Sequence, residues 1–300
     1  VSQLKAADGT WNMDADGDWG DTGNWAGGTV ADGADFTADF STVDIGSNRA
    51  VTLDSNRTIG HLVFDDASGG SDWRLNSSTL TLETTAGVPS ITTDTDTDIY
   101  SSLSGSQGFD KEGGSDLTLE GNNSGLSGTI NINGGDLAHG WRDHNAFGSA
   151  DINVGPSGRL LFGSEWTTSF NNNLSGSGDV RLSNSNIKLT LSGDNSGFSG
   201  EFDVNDGAIY LPSNPNALGD ASIKAGWSGE ISDTSGGPLT IDNKIDFSNT
   251  GNALQFGNAT HTDDMEFTYA GNSTGVGGGG RIRVYEGTTV TLHANISNGH

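Results

Sequence analysis

The chain contains no cysteine, which excludes disulfides, zinc–thiolate centres and thiol nucleophiles. Proline (5 residues) and methionine (2) are scarce. Hydrophobic residues make up only 32% of the 300, and no apolar run is long enough to span a bilayer. Basic residues are few as well, with 13 Lys+Arg against 39 Asp+Glu and a formal charge of −26. A field of that sign opposes nucleic acids, anionic membranes and sulfated or uronic polysaccharides. Neutral partners are therefore expected, with neither nucleic-acid binding nor membrane insertion. No stretch combines a 3.6-residue apolar period with helix caps.

Glycine, in contrast, is abundant: 47 residues, about twice the ~7% average. Twelve Phe, seven Trp and short alternating runs of Val, Ile, Leu and Thr argue for a folded chain with a thin core rather than a disordered one. Self-comparison supplies the organising feature. LTLEGNNSGLSGTININGGDL at 117–137 aligns without a gap onto LTLSGDNSGFSGEFDVNDGAI at 189–209, an offset of 72 residues (117 to 189). The likeness extends downstream, NAFGSADINVG at 145–155 facing NALGDASIKAG at 216–226. Upstream, LSGSQGF at 103–109 resembles LSGSGDV at 174–180.

Strands this short cannot bury an apolar face alone, but stacked coils can. The pattern predicts an all-β fold, a right-handed parallel β-helix (solenoid), with a pair of β-sandwiches as the alternative. A period of 72 fits three coils of ~20–30 residues each. Residues 1–300 are expected to form a single β-helix domain. Residues 1–50 would cap it, and residues 51–300 would supply coils carrying repeats at 103–155 and 174–226. Asn at equivalent positions is expected to form hydrogen-bonded ladders along the stack.

On LTLEGNNSGLSGTI (117–130), LTLSGDNSGFSGEF (189–202) and the Ala-(Phe/Leu)-Gly of 146–148 and 217–219, the chain resembles the autotransporter-associated β-strand repeat of secreted bacterial proteins. The N-terminal stretch TWNMDADGDWGDTGNWAGG (10–28), with VTLDSNRTIGHLVFDD (51–66), is similar to the segment that often leads into such repeats. The likeness departs at Leu126, where the family has an aromatic and the second copy has Phe198. The family's Lys-x-Gly persists only as Lys111 and Gly113. The resemblance implies surface display, adhesion or glycan contact, in a secreted or cell-surface bacterial setting. It also suggests the β-helical carbohydrate-binding modules attached to some secreted glycoside hydrolases such as xylanases. The chain is thus expected to be a segment of a longer precursor, covalently linked to catalytic or anchoring domains.

Glycan binding calls for aromatic faces for sugar C–H groups and polar side chains for hydroxyls. Trp141, Arg142, Asp143 and His144 supply both in AHGWRDH, beside His139. Trp166 follows 25 residues after Trp141, about one coil later (166 − 141). Tyr210 and Trp227 are expected in comparable positions after strands. Together these residues are the expected carbohydrate site, with a neutral polysaccharide, first of all xylan, as partner. Asp14, Asp16 and Asp18 mimic the opening of a calcium loop, but Trp25 occupies the place of its bidentate Glu. No cofactor is therefore expected, with calcium at that trio the alternative. Trp11, Trp19 and Trp25 are expected to cover the open end of the stack.

No G-x-S-x-G elbow is present, and VGGGGR (276–281) lacks the Lys and Ser/Thr of a phosphate loop. Basic residues are too scattered for a lyase. The expected function is a non-catalytic carbohydrate-binding module, the alternative a surface-displayed passenger or adhesin segment.

Overall fold

The computed structural model describes residues 6–140, 145–163, 167–204, 207–212, 214, 216–226, 229–233, 239–247, 253–256, 267–269, 281–284, 290–292 and 296–298. The chain is nearly all β, its parallel sheets stacked as a β-solenoid of about nine turns, with no α-helix among the described residues. The sandwich alternative fails on strand direction. Sandwich sheets are antiparallel, whereas the strand pairs here run parallel, and among the described residues only two isolated bridges, Ala7–Asp32 and Trp11–Trp25, are antiparallel.

The chain divides into two compact units, residues 1–159 and 160–300, and each holds one copy of the sequence repeat. In the first unit one sheet stacks Gly17–Asp18, Arg49–Thr52, Trp73–Asn76, Thr97–Ile99, Leu117–Leu119 and Gly135–His139. A second sheet forks at the long strand Arg57–Phe64. Its first half pairs with Thr79–Leu82 and then Ser102–Gly105, and its second half with Ser90–Thr93 and then Gly108–Glu112. Each coil therefore has three short strands separated by corners. In the second unit one sheet stacks Asp179–Leu182, Glu201–Val204, Ser222–Ala225 and Ile245–Phe247. Another stacks Thr167–Phe170, Lys188–Leu191, Ala208–Leu211, Gly229–Asp233 and Ala253–Phe256.

Alternation sends every second side chain inward, and parallel register stacks like on like. Val51, Leu75, Ile99 and Leu119 form one inward column, all 2% exposed or less. Each such side chain contributes roughly 1.5–3 kcal/mol by burial. At the N-terminal end the expected tryptophan layer is present. Trp11, Trp19 and Trp25 lie 5.6–5.7 Å from the Phe40 ring, and Phe64 stacks on that ring at 4.9 Å. The indole N–H groups of Trp11, Trp19 and Trp25 donate to the carbonyls of Met13, Ala31 and Trp19.

The repeat has a specific physical basis. Asn123, fully buried, accepts from the Leu103 N–H at 2.6 Å and donates to the Ala146 carbonyl at 2.7 Å. Asn195 makes the same pair with Leu174 (2.8 Å) and Ala217 (2.7 Å). Each amide thus staples the coil before it to the coil after it. Beside each staple lies a left-handed glycine, Gly148 (φ 55°) or Gly219 (φ 54°). A Cβ there would sit 2.2 Å from the Leu126 or Asn195 carbonyl oxygen, so the Gly of Ala-x-Gly is sterically obligatory. These two asparagines are staples to main chain, not the Asn–Asn ladder expected. A ladder of that kind does run outside, where Asn153 donates to Asn131 and Asn131 to Asp110.

One core position breaks the apolar rule. In the column Leu62, Ile91, Lys111, Ile132, Val154, a lysine stands among aliphatics and is fully buried. Its Nζ turns to the corner and donates to the carbonyls of Glu112 (3.0 Å), Gly113 (3.2 Å) and Gly134 (2.9 Å). Burial pushes its pKa down from 10.5 to about 8, against the pull of Asp116, Asp136, Asp94 and Glu112.

Two outcomes follow from these buried groups. Asn123→Ala or Asn195→Ala should each cost about 2–4 kcal/mol in denaturant unfolding, because two main-chain groups lose their partner in a dry site. Between pH 8 and 10.5 the unfolded chain keeps a proton on Lys111 that the folded chain has shed. Stability should therefore rise across that window relative to Lys111→Met, by at most about 3 kcal/mol, as read from paired unfolding midpoints at each pH.

Candidate functional site

Of the residues singled out for glycan binding, Trp141, Arg142, Asp143, His144, Trp166 and Trp227 lie outside the described residues. His139, at the base of that polar cluster, belongs to the core rather than the surface. It continues the Leu119 column, is 5% exposed, and its ring lies 5.8 Å from that of Phe147. Glu120 is buried beneath it in sequence register, its carboxyl occupying the space a side chain at Gly140 would need. In the second copy Ser192 and Leu211 take these two positions. Tyr210 is described, but it sits inside the strand Ala208–Leu211 rather than after it. Trp11, Trp19, Trp25 and Trp73 are all buried, so four of the seven tryptophans fill volume instead of offering platforms.

Asp14 and Asp16 are engaged with the next coil. Asp14 accepts from Arg49 Nε at 2.7 Å and from the Gly46 N–H, and Asp16 accepts from the Ala50 N–H at 2.8 Å. The Arg49 hydrogen bond holds the Asp14 carboxyl below its ordinary range. Asp18 lies in the strand paired with Arg49–Thr52. Among the described residues no group of three or more His, Asp or Glu is placed to hold a metal ion.

The first unit does present an organised polar face. In the columns Thr58–Thr81–Ser104 and Thr79–Ser102, small hydroxyl side chains point outward. Thr81 Oγ1 and Ser104 Oγ lie 2.9 Å apart. At one end of the strand Ser102–Gly105 stands Tyr100, 38% exposed and one of three exposed large hydrophobic residues among the described residues. At the other end opens a cleft of about 370 Å³ lined by Thr81, Leu82, Glu83, Thr84, Gly105, Ser106 and Gln107. Gln107 is fixed across two coils, accepting from the Thr84 N–H (3.0 Å) and donating to the Thr84 carbonyl (3.1 Å). Glu83 and Ser106 are exposed at the rim. Tyr100 and this cleft were not among the sequence candidates. The signal was present in TDIYSSLSG, where alternation with the inward Ile99, Ser101 and Leu103 turns Tyr100 and Ser102 out. What alternation does not reveal is which residue of the neighbouring coil lies alongside.

The second unit carries Tyr210 on an outward face. Parallel register sets Thr190, Tyr210 and Ser232 in one column and Lys188, Ala208 and Glu230 in the next. Tyr210 and Glu230 are half-buried and Lys188 is exposed. Burial raises the Glu230 carboxyl above its ordinary range, with the Lys188 charge acting the other way.

A column of acids runs along one corner of the first unit. Asn48, Asp72, Asp96 and Asp116 each precede a strand of the same sheet, and Asp136, inside the strand Gly135–His139, continues the file in register. Both ends are tied by hydrogen bonds, one of them charged. Asn48 donates to Asp72 at 2.8 Å, and Arg159 grips Asp136 with bonds of 2.7–3.0 Å. In the middle, burial and the neighbouring Asp136 and Asp96 raise the Asp116 carboxyl, partly offset by Arg159 and Lys111. A carboxyl raised above 3.8 holds a proton in the folded state that the unfolded state has released. Its contribution to stability is lost as pH rises through that window. Asp116→Asn should therefore raise the unfolding midpoint at pH 7, by on the order of 0.5 kcal/mol, with the gain shrinking as wild type and variant are compared nearer pH 4.

Comparison with known proteins finds no matching family model, no matching curated protein and no matching solved structure.

Proposed function

We propose that the chain is a non-catalytic carbohydrate-binding module that holds a neutral polysaccharide, xylan being the first ligand to try. One observation carries the reading: an exposed aromatic, a strip of hydroxyls and a polar cleft share a single strand and its two ends, residues 100–107. At ~3.3 Å per residue that track is roughly 20 Å long, several sugar rings. The Tyr100 ring offers a face for pyranose C–H groups. Thr79, Thr81, Ser102 and Ser104 both donate and accept, as sugar hydroxyls require. The cleft falls within the ~300–1,000 Å³ range of small-ligand sites. A chain charge of −26 favours uncharged glycans over acidic ones. In a longer secreted or cell-surface bacterial protein, such a module would raise the local concentration of glycan around a linked catalytic or anchoring domain.

A second reading, a passenger-like spacer of the autotransporter type, is favoured by the Asn staple repeated in the same form in both units. The two readings part on retention. Affinity electrophoresis through gels holding xylan, β-glucan, mannan or no glycan should show selective retardation, with the polymer left intact. Tyr100→Ala should weaken retention roughly tenfold, about 1.4 kcal/mol, and Ser106→Trp, which plugs the cleft from an exposed turn, should weaken it at least as much. Free migration of wild type in every gel would favour the spacer.

A further inference from the structure

The cleft beside Ser102–Gly105 lies where the second sheet forks, and the fork turns on one glycine. Residues 57–59 of the strand Arg57–Phe64 pair with 80–82, and residues 61–64 pair with 90–93. Gly60 stands between the two branches, and residues 83–89 span the gap as a projecting loop. Thr85, Ala86, Gly87 and Val88 at its tip are exposed, while Glu83 and Thr84 form one wall of the cleft. Exposed loop tips ordinarily sample many conformations.

This one is held from both sides. In an earlier coil the register shifts between Gly33 and Thr37, so Ala34, Asp35 and Phe36 bulge out opposite Gly60 alone. Asp35 takes a left-handed backbone (φ 69°), and a Cβ on Gly60 would come within 2.7 Å of its Cα. Reaching over that bare glycine, Asp35 accepts from the Thr85 N–H at 2.6 Å and from the Thr85 hydroxyl at 2.7 Å. Its own N–H donates to the Glu83 carbonyl at 3.1 Å. From the coil beyond, Gln107 bonds the Thr84 main chain and donates to the Gly87 carbonyl at 3.3 Å.

We propose that Asp35 is a positioning residue for the cleft: from two coils away it fixes the loop 83–89, so that Glu83 and Thr84 meet a sugar already in place. Asp35 itself is not among the residues that line the cleft. The proposal rests on the glycan reading above and adds that the site is preformed. A loop without this anchor would have to be ordered anew by each ligand, and affinity would fall by that cost.

Asp35→Gly tests this, because glycine keeps the left-handed backbone and removes only the carboxylate. Two readouts are taken on the whole chain: amide hydrogen exchange at Thr84 and Thr85, and calorimetric titration with xylohexaose, cellohexaose and mannohexaose. Asp35→Gly should speed Thr85 exchange about tenfold and weaken binding of the neutral hexasaccharide roughly tenfold, its thermal midpoint showing that it is folded. Asp35→Asn also accepts the left-handed conformation and keeps an oxygen for the Thr85 N–H, so it should restore both. Should Asp35→Gly fail to fold, Thr85→Val decides, since it removes only the hydroxyl bond outside the cleft: weaker binding upholds the role and unaltered binding overturns it. Thr85 exchange unchanged by Asp35→Gly, or fast exchange with affinity intact, would overturn the positioning role and leave the glycan reading standing. Wild type silent to every hexasaccharide would overturn the glycan reading and the positioning role with it, whatever the exchange shows.

Discussion

Parallel, in-register hydrogen bonding between successive coils is the constraint from which the rest of this structure follows. It places each residue about 4.8 Å from its counterpart in the next coil, so no side chain is chosen independently of the ones stacked on it. Inward columns become continuous apolar files such as Val51, Leu75, Ile99 and Leu119. Outward columns become files of compatible polar groups, whether Thr81 on Ser104 or the alternating Arg181, Asp203, Lys224 and Asp246. Lys224 bonds Asp203 at 3.1 Å within that last file. A 32% hydrophobic composition suffices because only one side chain in two needs to face a core one side chain deep.

The same constraint concentrates difficulty where like sits on like. Four aspartates in one file repel, and the file is held at its ends by Asn48 and Arg159, with the Lys111 charge and the Asp116 N–H bond to Asp96 helping in the middle. Lys111 meets the opposite problem, a charge in an aliphatic file, and its ammonium reaches three carbonyls at the corner. Both are departures from what the stack alone favours. Their cost is tolerable because a solenoid distributes stability over many nearest-neighbour contacts. The buried asparagines are the reverse case: a polar group placed in the core because it satisfies both adjoining coils at once.

In the first unit the face built on Ser102–Gly105 carries an aromatic at one edge, hydroxyls across the middle and a shallow cleft at the far edge. Under the proposed glycan reading, such a face suits a chain-like ligand that repeats as the protein does. Trp11, Trp19, Trp25 and Trp73 fill the wide layer around Phe40, where small aliphatics would leave voids.

By itself the sequence determined that the chain is an all-β stack of short coils. Alternation marks which residues turn inward, glycines mark corners, and the 72-residue repeat marks the Asn staples and the Ala-x-Gly beside them. These are local properties, carried by a few adjacent residues and written twice. Which outward residues become neighbours was decided only by the tertiary structure. Coil length varies, from 24 residues between Trp73 and Thr97 to 20 between Thr97 and Leu117, so no fixed period pairs Lys188 with Ala208 and Glu230, or sets Ser104 on Thr81. For the same reason His139, which begins the polar cluster AHGWRDH, lies in the core: register with Leu119, not its neighbours in the chain, fixed the direction of its side chain.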